Sequence, residues 1–166
     1  ILYIACNIYC SKIIKCVIFT NYFYEIKLIM KLNIFTDISL KSLMYLKQAQ
    51  NLVTINEIAL QFSIPRNHLI KALNLLVRLN WISSIRGRNG GLSYNSESDE
   101  LKLGEVILIL EAKPELFNCD ECILHSNCFL RSILKESLDA FYNNLNKYTI
   151  ADLTKGKTGN FINHMI

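Results

Sequence analysis

Proline and glycine are scarce, two and six in 166 residues, which excludes a collagen-like, linker-rich or disordered chain. Long apolar runs are missing too. The most apolar stretch, residues 1–29, is interrupted by Asn7, Lys12, Lys15, Asn21 and Glu25, whereas a membrane span needs roughly 18 unbroken apolar residues. The same stretch does not run from charge through an apolar core to small residues, as a secretory leader would. No membrane partner is expected, and a cytoplasmic location is. Acidic residues are absent from Pro65 to Gly91, where Arg66, Lys71, Arg78, Arg86 and Arg88 place a charge of +5 in a chain whose total is +4. Catalytic patterns are lacking as well: there is no Ser–His–Asp constellation and no carboxylate pair in a recognisable motif. The glycine-rich Arg86–Gly91 is not followed by the lysine and hydroxyl residue of a phosphate loop. No enzyme is expected.

What the chain has is apolar bulk, 51% hydrophobic, enough for one core and an extra helical arm. Its concentrated basic region on a near-neutral frame suggests phosphate contacts. The first internal methionine, Met30, directly precedes the first well-formed amphipathic segment. Residues 1–29 are therefore expected to be a non-native or upstream-translated segment, and Cys6, Cys10 and Cys16 are not counted as ligands.

From Met30 the periodicity is helical. Leu40, Leu43, Met44 and Tyr45 share one face of a helix over Ile38–Gln48, with Thr36 or Asp37 as its cap. Thr54 and Glu57 form a capping box that opens a short second helix. Phe62-Ser63-Ile64 is a tight turn, and Pro65 suits the first position of a third helix to about Asn80. Together these make a helix-turn-helix with Arg66, Asn67 and His68 in the first turn of the recognition helix and Lys71 one turn on. Trp81–Ile85 and Leu92–Tyr94 read as two strands, joined by a tip that carries Arg86, Arg88 and Asn89. A hairpin after a helix-turn-helix is the wing of a winged helix, whose arginines follow the backbone or enter the minor groove. Asn95–Glu100 is a polar connector, Leu101–Glu111 a short apolar helix, and Leu130, Leu134, Leu138, Phe141, Leu145 and Tyr148 mark a long amphipathic helix suited to pair with a twin. The expected fold is mainly α with a small β-hairpin wing. It comprises a winged helix-turn-helix over 30–100, a loop and long dimerisation helix over 101–155, and a flexible tail over 156–166.

Between the last two helices lie Cys119, Cys122 and Cys128, three thiols within ten residues. Clustered thiols favour a reducing compartment and metal chemistry. Four uses compete: zinc on Cys119, Cys122, His125 and Cys128, an iron–sulfur cluster with a fourth ligand from elsewhere, a thiol–disulfide switch, or buried free thiols. Spacing alone weighs zinc and iron–sulfur alike.

With both halves assembled, the chain resembles the NsrR repressors, the nitric-oxide-sensing branch of a bacterial winged-helix regulator family that also includes IscR. The resemblance covers Met30 to about Lys155. It is carried by Met30–Asp37, Ser63–Lys71, the wing Arg86–Leu92, the three cysteines and Tyr148–Leu153. It implies a homodimeric repressor of palindromic double-stranded DNA that holds a cluster in each subunit, 4Fe–4S rather than 2Fe–2S. The implied ligands are Cys119, Cys122 and Cys128, with Asp37 reaching in from the partner subunit. It further implies that nitric oxide reacts at the cluster and that the operator is then released. The IscR branch uses a histidine a few residues after the last cysteine, and Phe129–Ser132 has none. Only two residues separate Cys119 from Cys122, fewer than the family usually has, so a zinc-stabilised or redox-homeostasis regulator without nitric-oxide specificity stays as the alternative.

Overall fold

The computed structural model describes residues 32–112, 122–123 and 128–166. The expected upstream segment 1–29, Cys119 and His125 lie outside the described residues.

Helix α1 spans Ile34–Gln48, and its cap differs from the expected one. Asn33 caps it, its side chain accepting from the Phe35 N–H at 3.0 Å. Thr36 and Asp37 lie inside the first turns, where Thr36 is fully buried. Asn33 can do this because a short amide reaches the exposed first-turn donors as well as a hydroxyl does. Helix α2 (Ile55–Gln61) opens on the expected capping box: Thr54 N–H donates to Glu57, and Glu57 N–H to the Thr54 hydroxyl. The turn to α3 bends at Ser63, whose φ of 51° is in the left-handed region. Helix α3 covers Arg66–Arg78, with Pro65 one position earlier than expected, at the cap. It stops at Asn80 (φ 59°), where the amides of Asn80 and Trp81 donate to the carbonyls of Val77 and Leu76. That double return is a Schellman motif, and it delivers Trp81 into the core beside Leu76.

Strands β1 (Ile82–Ile85) and β2 (Gly91–Tyr94) pair antiparallel, with Ile82 opposite Tyr94 and Ile85 opposite Gly91. A Cβ on Gly90 would stand 2.1 Å from the Ile85 carbonyl oxygen, so only glycine fits the closing turn. Val53, just before α2, exchanges two backbone bonds with Leu92 at 3.0 and 2.8 Å and adds a third rung to the wing. The connector is more than polar filler. Ser96–Glu100 is a 3-10 turn whose buried Ser98 donates to the Trp81 carbonyl.

Helix α4 (Leu103–Leu110) follows, and then α5 (Phe129–Leu145). Their backbones approach closely at Gly104, where a Cβ would come within 2.5 Å of the Tyr142 carbonyl oxygen and of Asn146. After a 3-10 turn at Ile150–Thr154, the segment expected to be a flexible tail forms helix α6 (Lys157–Met165). It docks by burying Ile162 and Gly159. Two anchors within a single turn were too few for the sequence to reveal a helix, and the polar composition hid it.

The described residues from Asn33 to Ile166 form one compact unit. Its core gathers Leu43 and Leu46 from α1, Ile58 from α2, Leu69 and Leu76 from α3, and Val106 from α4. The architecture is six helices and one hairpin among the described residues, the mainly α winged helix expected. No described helix is long and apolar enough to cross a membrane.

Candidate nucleic-acid interface and thiol loop

Amphipathicity places the basic residues of α3. Leu69, Ala72, Leu73 and Leu76 are buried, so Asn67 and Lys71 fall on the opposite face and Arg66 and His68 on its flanks, all four exposed. Arg66 is the first residue of the helix, and its Nε donates to Asn56 Oδ1 of α2 at 3.2 Å. Arg86, Arg88 and Asn89 are exposed at the tip between β1 and β2. Of these expected contacts, Arg66 lines a cleft with Thr54–Asn56 at the start of α2 and with the wing residues Ser84, Ile85 and Gly90–Leu92.

The base of the wing is tied to α1 by a polar cluster that the sequence did not reveal. Lys47, in the last turn of α1, pairs with Asp99, and the Tyr94 hydroxyl donates to Asp99 Oδ1 at 2.9 Å. The Lys47 ammonium also lies 5.1 Å from the centre of the Tyr94 ring. Partial desolvation favours the neutral Asp99, but the bonds from Lys47 and Tyr94 outweigh it and hold the carboxyl below its usual range. Burial, with the Asp99 bond and charge, pushes the Tyr94 phenol well above its usual range. Lys47 lies 52 residues before Asp99, so no spacing signal joins it to the Tyr94–Asp99 pair.

At the other end of α1, Asp37 is half-exposed and pairs with Lys41 at 2.6 Å. The Asn33 N–H donates to Glu111 at the end of α4, at 2.7 Å. The start of α1 is thus fastened to the residue that leads into the thiol loop. Next to Asp37, the buried Thr36 hydroxyl has no hydrogen-bond partner among the described residues.

Of the three clustered thiols, Cys122 is exposed and Cys128 half-buried, both free. Cys128 occupies the cap position of α5, yet its side chain makes no capping bond. Cys128 thus places a soft sulfur donor at the start of a 17-residue helix. The donors that are described therefore suit an iron–sulfur cluster or another soft metal centre. Among the described residues no group of three His, Cys, Asp or Glu side chains converges, since Cys119 and His125 lie outside them.

Comparison with known proteins follows the same outline. Residues 32–156 match the Rrf2 family, described as an iron-dependent transcriptional regulator. The HTH-type transcriptional regulator NsrR of Bacillus licheniformis is 37% identical over 131 residues, which cover 75% of this chain and 92% of that protein. NsrR of Bacillus subtilis is 35% identical over 135 residues, 77% of this chain and 92% of that one. Among solved structures, CymR, the global cysteine regulator of B. subtilis, superposes with a TM-score of 0.59 at 22% identity, covering 75% of this chain and 96% of its own. IscR of T. potens gives a TM-score of 0.60 at 20% identity, covering 78% and 89%. These two likenesses support the fold.

Proposed function

We propose, from the premise that this chain belongs to the Rrf2 family of transcriptional regulators, that it is a cytoplasmic, homodimeric repressor that senses nitric oxide through an iron–sulfur cluster. The observation that carries the DNA-binding half is the exposure of Arg66, Asn67, His68 and Lys71 on α3 and of Arg86 and Arg88 at the wing tip, with Arg66 lining a cleft against the wing strands. In this reading α3 enters the major groove, with Asn67, His68 and Lys71 at base edges or phosphates. Arg86, Arg88 and Asn89 follow the strand or reach into the minor groove. Residues 30–100 form the DNA-binding part and 101–155 the sensory and dimerisation part.

Support for the dimer comes from α5, where Phe129, Leu130, Ile133 and Phe141 are exposed along one amphipathic helix. Pairing with a second copy would cover them and fix the separation of two recognition helices on a palindromic site.

Cys119, Cys122 and Cys128 would hold the cluster as thiolates, and the partner subunit's Asp37 would add an oxygen donor. When bound, a cluster of the 4Fe–4S type supplies iron that reacts with nitric oxide. The carboxylate is the weak point of that donor set, being harder than the three thiolates. Asp37 must leave Lys41 to serve, and it is exposed enough to do so. Loss of the cross-subunit tie frees the start of α1, the helix against which α3 packs. The two recognition helices then lose their fixed separation, and the operator is released. The closeness to NsrR regulators at 35–37% identity favours nitric oxide as the signal.

The test is a visible spectrum of protein purified without oxygen, with iron and sulfide analysis, before and after nitric oxide. A brown protein that changes on nitric oxide and then loses DNA supports the reading. A colourless protein with one zinc per chain sinks it and points to Cys119, Cys122, His125 and Cys128 as a structural site.

A further inference from the structure

The cleft between α3 and the wing has a volume of about 250 Å³, and its walls include Thr54, Asn56, Arg66, Ser84 and Gly90. Among the described residues lining it, Arg66 is the only charged one. Its guanidinium is steered from below by Asn56, which takes the Nε–H. Asn56 is exposed and on α2, so this bond crosses the turn between the two helices. No other hydrogen bond engages the Arg66 guanidinium among the described residues. Its two terminal amino groups therefore keep their donors, in the planar fork that matches two oxygens of one phosphate.

The position of the cleft identifies the occupant. If α3 lies in a major groove and the wing in the neighbouring minor groove, one sugar–phosphate strand must pass between them, because a single strand separates adjacent grooves. The cleft is walled by the wing residues Ser84, Ile85 and Gly90–Leu92, by Thr54–Asn56 at the start of α2, and by Arg66 of α3. Glycine at 90 and 91 and the small Ser84 keep the wing side of the cleft low, which lets a strand approach.

We infer that this cleft is the seat of one backbone phosphodiester, held by Arg66, with Asn56 as the residue that positions it. Arg66 then carries no sequence information, and base reading falls to Asn67, His68 and Lys71. The inference rests on the DNA-binding reading above and assigns roles within it.

The experiment uses the full chain and two duplexes, one selected from random sequence by the wild-type protein and one scrambled. Affinity is measured by fluorescence anisotropy over a range of salt. Arg66→Ala is expected to weaken both duplexes by about tenfold alike and to lower the salt slope by about 0.9. The ratio between duplexes stays fixed. Asn56→Ala weakens both in the same sense but adds nothing in the Arg66→Ala background, which a general loss of structure would not produce. The seat is overturned if Arg66→Ala changes the ratio between duplexes or if it leaves affinity unchanged. A wild-type protein that binds neither duplex overturns the DNA-binding reading, and the seat with it.

Discussion

The winged-helix head and helix α5 stand in contrast. In the head, α1 alone buries seven residues, and α3 buries four along one stripe. Helix α5 is longer than either, with 17 residues, and buries none. Both regions carry leucines and aromatics at helical spacing, so the amphipathic pattern does not separate them. What separates them is the supply of partners. The head finds its partners within one chain: Leu43, Ile58, Leu69 and Leu76 are each wholly buried. Leu130 remains 58% exposed and Phe129 79%. An apolar stripe specifies that a helix will be covered, but only the rest of the fold says by what.

The comparison breaks most visibly in the core. Leu76→Ala should cost about 2–5 kcal/mol of unfolding free energy, through lost burial and a cavity among Leu43, Leu69 and Trp81. Chemical denaturation reads it. The matched change in α5, Leu130→Ala, should cost a single chain under about 1 kcal/mol, yet shift the sedimentation equilibrium toward monomer. A Leu130→Ala loss as large as that of Leu76→Ala, with no change in association, would erase the contrast.

Smaller effects sharpen it. Tyr94→Phe removes the hydroxyl bond to Asp99 while keeping the ring over Lys47, and should cost about 1 kcal/mol. Two carboxyls, Asp99 of this cluster and Asp152 of the turn after α5, set a pH dependence for the chain. Asp99 titrates below its ordinary value of 3.8 in the folded chain, and Asp152 is held at about 2 by bonds from Lys155 and Thr149. A depressed carboxyl contributes stability that is present above the unfolded value and is lost as pH falls through the folded one. The melting temperature should therefore fall between about pH 4 and pH 2. In Asp99→Asn the fall should be shallower, because one of the two groups no longer titrates.

How much of this was legible in the sequence follows the same division. The helix-turn-helix was readable because each boundary has a local cause: the Thr54–Glu57 capping box, Pro65 before α3, and the glycines of the wing tip. The cap of α1 was misplaced because Asn33, Thr36 and Asp37 are all competent caps, and only the burial of Thr36 decides among them. Helix α6 was missed because Ile162 is its one large buried side chain, and the surface that receives it is shared between distant α1 and the preceding 3-10 turn. The Asn56–Arg66 bond and the Lys47–Asp99–Tyr94 cluster were invisible for a related reason: each joins side chains that only the folded chain makes neighbours. Local chemistry writes boundaries; distant pairings write the site.

The bridge from Val53 to Leu92 has a consequence for the order of assembly. The entire helix-turn-helix lies between those two residues, and a lone two-stranded hairpin is marginal in water. The third rung cannot close until α2 and α3 have docked and shortened the path between its ends, since a long loop loses entropy on closure before any contact repays it. The wing is thus the last part of the head to form and the first to open. Native-state hydrogen exchange would find the amides of Val53 and Leu92 opening at lower free energy than those of α1 and α3. If the wing grips DNA as proposed, the part of the head that opens first is the part that fits itself to the strand.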